Sequence, residues 1–187
     1  MKRIFLVAFT LCFATPVFSA DDTATIKSTL KTLIQAIRYN KNDLAAPKVN
    51  FQAMSERMMG AEWKQLTPAE QGEMVKGVET LIRKISFQKG FEQFKYLDAT
   101  LINKVDVQGV TAKAKTVVVI HRDLKKTEIA MDFELKNTQG NWQVVDLVLA
   151  NESTLDGIRE DDVKPLLKEG GTKAVMDALR KRVAEVK

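Results

Sequence analysis

Four consecutive stretches decide the fold: LDATLINKVDV (97–107), TAKAKTVVVI (111–120), EIAMDFELK (128–136) and WQVVDLVL (142–149). In the first three the side-chain period is two, the repeat of a strand with one buried face. Leu97, Ala99, Leu101, Asn103, Val105 and Val107 alternate with Asp98, Thr100, Ile102, Lys104 and Asp106. Ala112, Ala114, Thr116, Val118 and Ile120 alternate with Lys113, Lys115, Val117 and Val119, and Ile129, Met131, Phe133 and Leu135 with acidic and basic neighbours. The fourth stretch is apolar on both faces. Gly109, Arg122-Asp123 and Gln139-Gly140-Asn141 mark tight turns between them. Such short connections make neighbouring strands antiparallel.

Outward from this meander the period changes to that of a helix. On the N-terminal side, Ile26, Leu30, Leu33, Ile34 and Ile37 form one apolar stripe over Thr25–Tyr39, and Asn40–Pro47 breaks it. Val49–Met59 reads as a second helix, ended by Gly60. Thr67-Pro68-Ala69-Glu70 is a capping box with proline at the first helical position. The helix it opens carries Met74, Val78, Leu81, Ile82 and Ile85, and Phe87, Phe91 and Phe94 follow in a turn or short helix after Gly90. On the C-terminal side a helix starts near Thr154, breaks at Gly170-Gly171, and resumes through Val175, Met176, Leu179 and Val183. Helices, a four-strand meander, then helices again predict an α+β fold.

The chain of 187 residues opens with Met1-Lys2-Arg3, a ten-residue apolar run from Ile4 to Phe13, and Val17-Phe18-Ser19-Ala20. That is the pattern of a secretion signal cleaved near Ser19 or Ala20. The run is half the length a spanning helix needs. Residues 21–187 then form one domain, exported and soluble. Removing Lys2 and Arg3 lowers the net charge from +5 to +3. Cys12, the one cysteine, falls in the leader, so disulfides, thiol nucleophiles and cysteine zinc sites are excluded from the mature chain. The basic cluster Lys173, Arg180, Lys181, Arg182 and Lys187 could attract anionic lipid headgroups or an acidic partner; the plainer reading is a solvated helix end whose cations suit the C-terminal dipole. No basic run is interleaved with stacking aromatics, so nucleic acid is not an expected partner.

Candidate chemistry is sparse. His121, the one histidine, stands at a strand end beside Arg122 and Asp123 with no nucleophile motif anywhere. Asp146 lies among apolar residues, and a buried carboxylate can act as a base in a small cone-shaped enzyme; the plainer reading is a structural hydrogen-bonded Asp. The remaining candidates are the apolar stripes. The strands supply Leu101, Val118, Ile120, Ile129, Met131, Phe133 and Val144. The helices supply Val78, Leu81, Ile85, Phe91 and Phe94. Periodicity does not distinguish a packed core from a ligand cavity, and both readings stay open.

Three motifs in order carry a family resemblance. They are Phe51-Gln52-Ala53-Met54 leading to Met59-Gly60-Ala61-Glu62-Trp63 and Thr67-Pro68-Ala69-Glu70-Gln71; Trp142-Gln143-Val144-Val145-Asp146-Leu147 followed by Ser153; and Ile158-Arg159 before Leu166-Leu167 and Gly171. Together they resemble the MlaC family, the toluene-tolerance group of periplasmic phospholipid carriers, with departures at Asn151, Ile158 and Asp161-Asp162. The resemblance implies a helical layer over a curved, cone-like antiparallel sheet, with an apolar cavity lined by the twelve stripe residues above. It implies phospholipid as cargo, no cofactor and no catalytic residue. The implied partners are an inner-membrane Mce-domain ABC transporter and an outer-membrane lipoprotein–porin complex. Arg159 lies outside the apolar stripes, so it is expected to serve docking or local structure more than retention of lipid.

Overall fold

The computed structural model describes residues 20–186; apart from Ala20, the expected leader lies outside the described residues. The first helix, α1 (Ala20–Arg38), buries Ile26, Leu30, Leu33, Ile34 and Ile37, as their spacing requires. A short helix α2 (Asn42–Ala45) and a 3₁₀ turn (Ala46–Lys48) follow. In α3 (Phe51–Met59) Asn50 is the cap, its side chain accepting from the Ala53 amide at 2.9 Å. The expected capping box is present: Glu70 N–H donates to Thr67 Oγ1 at 3.3 Å and Thr67 N–H to Glu70 Oε2 at 2.8 Å.

From that cap, α4 (Pro68–Leu81), a π turn (Ile82–Ser86) and α5 (Phe87–Phe94) run on through Gly90; α5 is the expected short helix of Phe87, Phe91 and Phe94, and it starts before the glycine. Gly90 is a contact residue. A Cβ there would sit 2.8 Å from Ile37 Cγ2, so glycine lets α5 close on α1. The extra residue of the π turn moves the buried stripe from Met74 and Val78 to Phe87 and Phe94. The C-terminal helices are α6 (Thr154–Ile158), a π turn (Arg159–Val163) and α7 (Lys164–Glu185). The expected break in α7 is present, with Gly171 at φ 65°. Three cations of the C-terminal cluster are paired on the surface, Arg180 with Glu73 and Asp177, Lys173 with Asp177, and Arg182 with Glu185.

The sheet is antiparallel throughout, in the order β1 (Leu97–Gln108), β2 (Thr111–Arg122), β3 (Lys125–Thr138), β4 (Asn141–Leu149), β5 (Glu152–Ser153). It has one strand more than the sequence reading. The added β5 is two residues long and pairs with β4 through Val148↔Ser153 and Leu149↔Glu152. At three of the four hairpin turns both central residues have positive φ: Asp123-Leu124, Gln139-Gly140 and Ala150-Asn151. This is the turn geometry that matches strand twist, and Asn151 tolerates it where the family pattern has Gly.

Register explains which residues face the helices. Ala112, Ala114, Thr116, Val118 and Ile120 form the buried face of β2. Across from them stand Leu135 and Phe133 at one end and Ile129 further along β3. Two irregularities in β1, between Leu97 and Ala99 and between Ile102 and Lys104, shift its phase twice. The residues of β1 on the helix side are therefore Leu97, Thr100, Ile102, Val105 and Val107, opposite Ile120, Val118, Thr116, Ala114 and Ala112. Leu101, read from strict alternation as inward, is 48% exposed on the outer face, opposite Val117.

Candidate functional site

The helix-facing side of the sheet is not uniformly sealed. At one end Ala112, Leu135, Val144 and Trp142 are buried and belong to one continuous apolar core with Ile26, Leu30 and Ile34 of α1. Further along, Ile129, Met131 and Ile102 are only half-buried, and Leu149, paired with Met131, is 40% exposed. On the helical side Leu81, Ile85 and Phe91 are also half-buried.

The twelve stripe residues thus divide. Val78, Phe94, Val118, Ile120, Phe133 and Val144 are buried. Leu81, Ile85, Phe91, Ile129 and Met131 are half-buried, and Leu101 is on the wrong face. Sequence reading missed Leu149 and Leu147 because β4 is apolar on both sides and gives no phase. An irregularity beside Leu135 further moves Leu147 onto the face of Phe133 and puts Asp146 with Glu134. Two open grooves are present. One of about 1100 Å³ lies where α3 (Ala53, Glu56, Arg57) meets the sheet, lined by the helix-facing Val105, Val107, Ala112 and Leu135 and by charged neighbours such as Lys104, Lys113 and Glu134; the other, of about 470 Å³, runs along Glu62, Arg159, Glu160 and Lys164. Neither is lined by any of the twelve.

The charged residues of the motifs form joints. Asp146 is fully buried, and its carboxylate accepts from the amides of Leu147 (2.8 Å) and Leu155 (3.2 Å) and from the Ser153 hydroxyl. Arg57 Nη1 adds an ion pair at 3.2 Å. Its oxygens are therefore committed to tying β4 to α3 and α6, and the carboxylate does not face an apolar pocket as a base would. Arg57 is the hub. It holds Asp156 through Nε (3.0 Å) and Nη2 (2.9 Å), reaches Glu134 at 2.7 Å, and donates to Ser153 Oγ at 3.1 Å. The Asp156 hydrogen bond foremost raises the Arg57 pKa, and Arg57 in turn holds the Asp156 carboxyl below the usual carboxylate range. Arg57 was not legible as a site residue, since a lone cation on a short helix carries no pattern.

The other motifs resolve in the same way. Arg159 Nη1 donates to the Met58 carbonyl at 2.6 Å, and Nη2 lies 3.5 Å from Glu62. Gly60 has φ 63°, and a Cβ on it would lie 2.5 Å from the Arg159 guanidinium. Residues about a hundred positions apart in two separate motifs are thus one contact, and Arg159 serves local structure. Gln71 donates from Nε2 to the carbonyls of Trp63 (3.1 Å) and Leu66 (3.3 Å), finishing the turn before α4. Trp142 Nε1 donates to Asp22 at 2.8 Å, fixing α1 to β4. The motif residues are a frame for the apolar face.

The family model described as "MlaC protein" matches residues 20–181. The chain belongs to the MlaC family. No curated protein matches this MlaC chain. Among solved structures, a phospholipid-binding protein from Ralstonia solanacearum, in complex with a phospholipid, superposes with a TM-score of 0.70 at 16% identity, over 87% of this chain and 97% of that one. It confirms the α+β fold, helices over a curved antiparallel sheet. Weaker likenesses are a SEC-C motif containing protein from Rhodopseudomonas palustris (TM-score 0.43, 7% identity, 68% of this chain and 80% of that one) and an NTF-2 like protein from Shewanella oneidensis MR-1 (0.39, 9%, 66% and 94%). Among the described residues of the MlaC chain, no helix is long and apolar enough to cross a membrane, and no cluster of His, Cys, Asp and Glu could hold a metal ion.

Proposed function

We propose that this protein binds a phospholipid by its acyl chains, between the helical layer and the sheet, and carries it through the periplasm. The observation that carries the reading is the run of incompletely buried apolar side chains, half-buried Ile102, Ile129 and Met131 and exposed Leu149 on the sheet with half-buried Leu81, Ile85 and Phe91 on the helices, in a chain of the MlaC family. The phospholipid held by the Ralstonia solanacearum protein of the same fold supports it. The physical need is plain. At ~0.8 kcal/mol per methylene, an acyl chain costs on the order of 10 kcal/mol to expose to water, so a lipid crosses an aqueous space only under cover. The headgroup can stay solvated at the mouth, which explains why no cluster of charged residues is needed within the apolar face.

In this reading the leader over residues 1–20 exports the chain, and the exchange partners are an outer-membrane lipoprotein–porin complex and an inner-membrane Mce-domain ABC transporter. No cofactor enters. Catalysis through Asp146 has no support, because the carboxylate is already bound on all sides by Arg57, Ser153 and two amides.

The test is transfer. Donor vesicles containing radiolabelled phosphatidylethanolamine are mixed with unlabelled acceptor vesicles and the purified protein, then separated by sedimentation. Label should reach the acceptors in proportion to added protein, well above spontaneous exchange. No gain over exchange without protein would contradict a carrier, and no label on the protein itself would leave it an interaction module.

A further inference from the structure

One polar atom in the apolar face has no partner. Thr116 is 1% exposed at the middle of β2, between Ala114 and Val118, and its Oγ1 makes no hydrogen bond with any described residue. A buried hydroxyl with no partner is unfavourable, and most buried polar groups are satisfied. The register places Thr116 on the helix-facing side, with Ile102 opposite it on β1. Its backbone is unusual too. Regular pairing with β3 lapses between Ala114↔Phe133 and Val117↔Ala130, and the Thr116 amide donates instead to the Asp132 side chain at 3.3 Å. The stretch of β3 left out of that pairing holds Met131, one of the half-buried residues of the face.

We infer that the Thr116 hydroxyl donates a hydrogen bond to an ester carbonyl of the bound phospholipid. This rests on the lipid-binding reading above. The chemistry selects the ester. A charged phosphate would not be held by one hydroxyl within an apolar surface, because an unpaired buried charge is far too costly. A hydrocarbon tail offers no acceptor. The ester carbonyl is the uncharged acceptor that a phospholipid carries where its tails begin. Thr116 then fixes the depth of the lipid: tails lie against apolar neighbours such as Met131 and Ile129, and the glycerol stops at the hydroxyl.

Thr116→Val keeps the shape of the side chain and removes the oxygen. The test measures binding of a diester phosphatidylcholine and its diether analogue to lipid-free wild type, Thr116→Val and Thr116→Ser. The ester-to-ether affinity ratio should fall about fivefold from wild type to Thr116→Val, the factor for one neutral hydrogen bond, and Thr116→Ser should keep the wild-type ratio. Lipid-free Thr116→Val should melt at or above the wild-type temperature, because it no longer buries an unpaired hydroxyl. Equal ratios in all three proteins, with both lipids bound, would overturn the role of Thr116 and leave the lipid site standing. Failure of wild type to bind either lipid would overturn both readings.

Discussion

Arg57→Ala should lower the stability of the lipid-free protein by about 3–5 kcal/mol, the range for removing one partner of a buried ion pair. For a domain of this size that is a fall in melting temperature on the order of 10 °C. The reason is the company Arg57 keeps. Asp146 is fully buried and Arg57 supplies its positive charge, while Glu134 and Asp156 face the same guanidinium. Without the arginine, Asp146, which is buried, and Asp156 lose their cation, and Glu134 keeps that of Lys113, at 3.3 Å. Thermal melting checks it, and a shift of a degree or two would mean that water and the Ser153 hydroxyl suffice. The pH dependence carries the same signature. Arg57 holds the folded Asp156 pKa below its unfolded value, so the contribution is complete above about pH 4 and is lost as pH falls through the folded pKa. The variant should lose less stability than wild type on acidification through that window.

Met131→Trp should strip the protein of most of its phospholipid while moving the lipid-free melting temperature by no more than a few degrees. Met131 is half-buried and stands opposite Leu149, itself 40% exposed, so an indole added there would enter the space that the proposed site assigns to acyl chains. A packed core would respond otherwise, since overpacking costs about 1–3 kcal/mol. Val118 provides that contrast on the neighbouring strand. It is completely buried, and Val118→Glu should unfold the protein whether or not lipid is present. The comparison is made on delipidated proteins, because loss of a ligand lowers a melting temperature by mass action. Phosphate content as purified gives the second readout, and a Met131→Trp protein with a full lipid load would place Met131 outside the site.

Much of the frame was legible because its signals are local. The apolar stripe of α1, the capping box at Thr67 and Glu70, the turns at Gly109 and Gly140 and the break at Gly171 are each set by residues within a few positions. Features that depend on an inserted residue were not legible. The irregularities in β1 turn Leu101 outward, and the π turn after Leu81 keeps α4 and α5 in one rod; neither leaves a mark in side-chain pattern. Long-range joints were visible only as motifs without a cause. Gly60 and Arg159 carried part of the family resemblance, yet only the fold shows that the glycine makes room for the guanidinium. The apolar face itself is the least legible part, since a methionine against a lipid tail and one against a neighbouring leucine follow the same period.

Native mass spectrometry of the protein, purified without detergent, tests the central claim most directly. The account predicts a species heavier than the polypeptide by the mass of about one phospholipid, which collisional activation releases as an intact lipid. A spectrum that shows the bare polypeptide alone, from cells whose membranes supply that lipid, would contradict it.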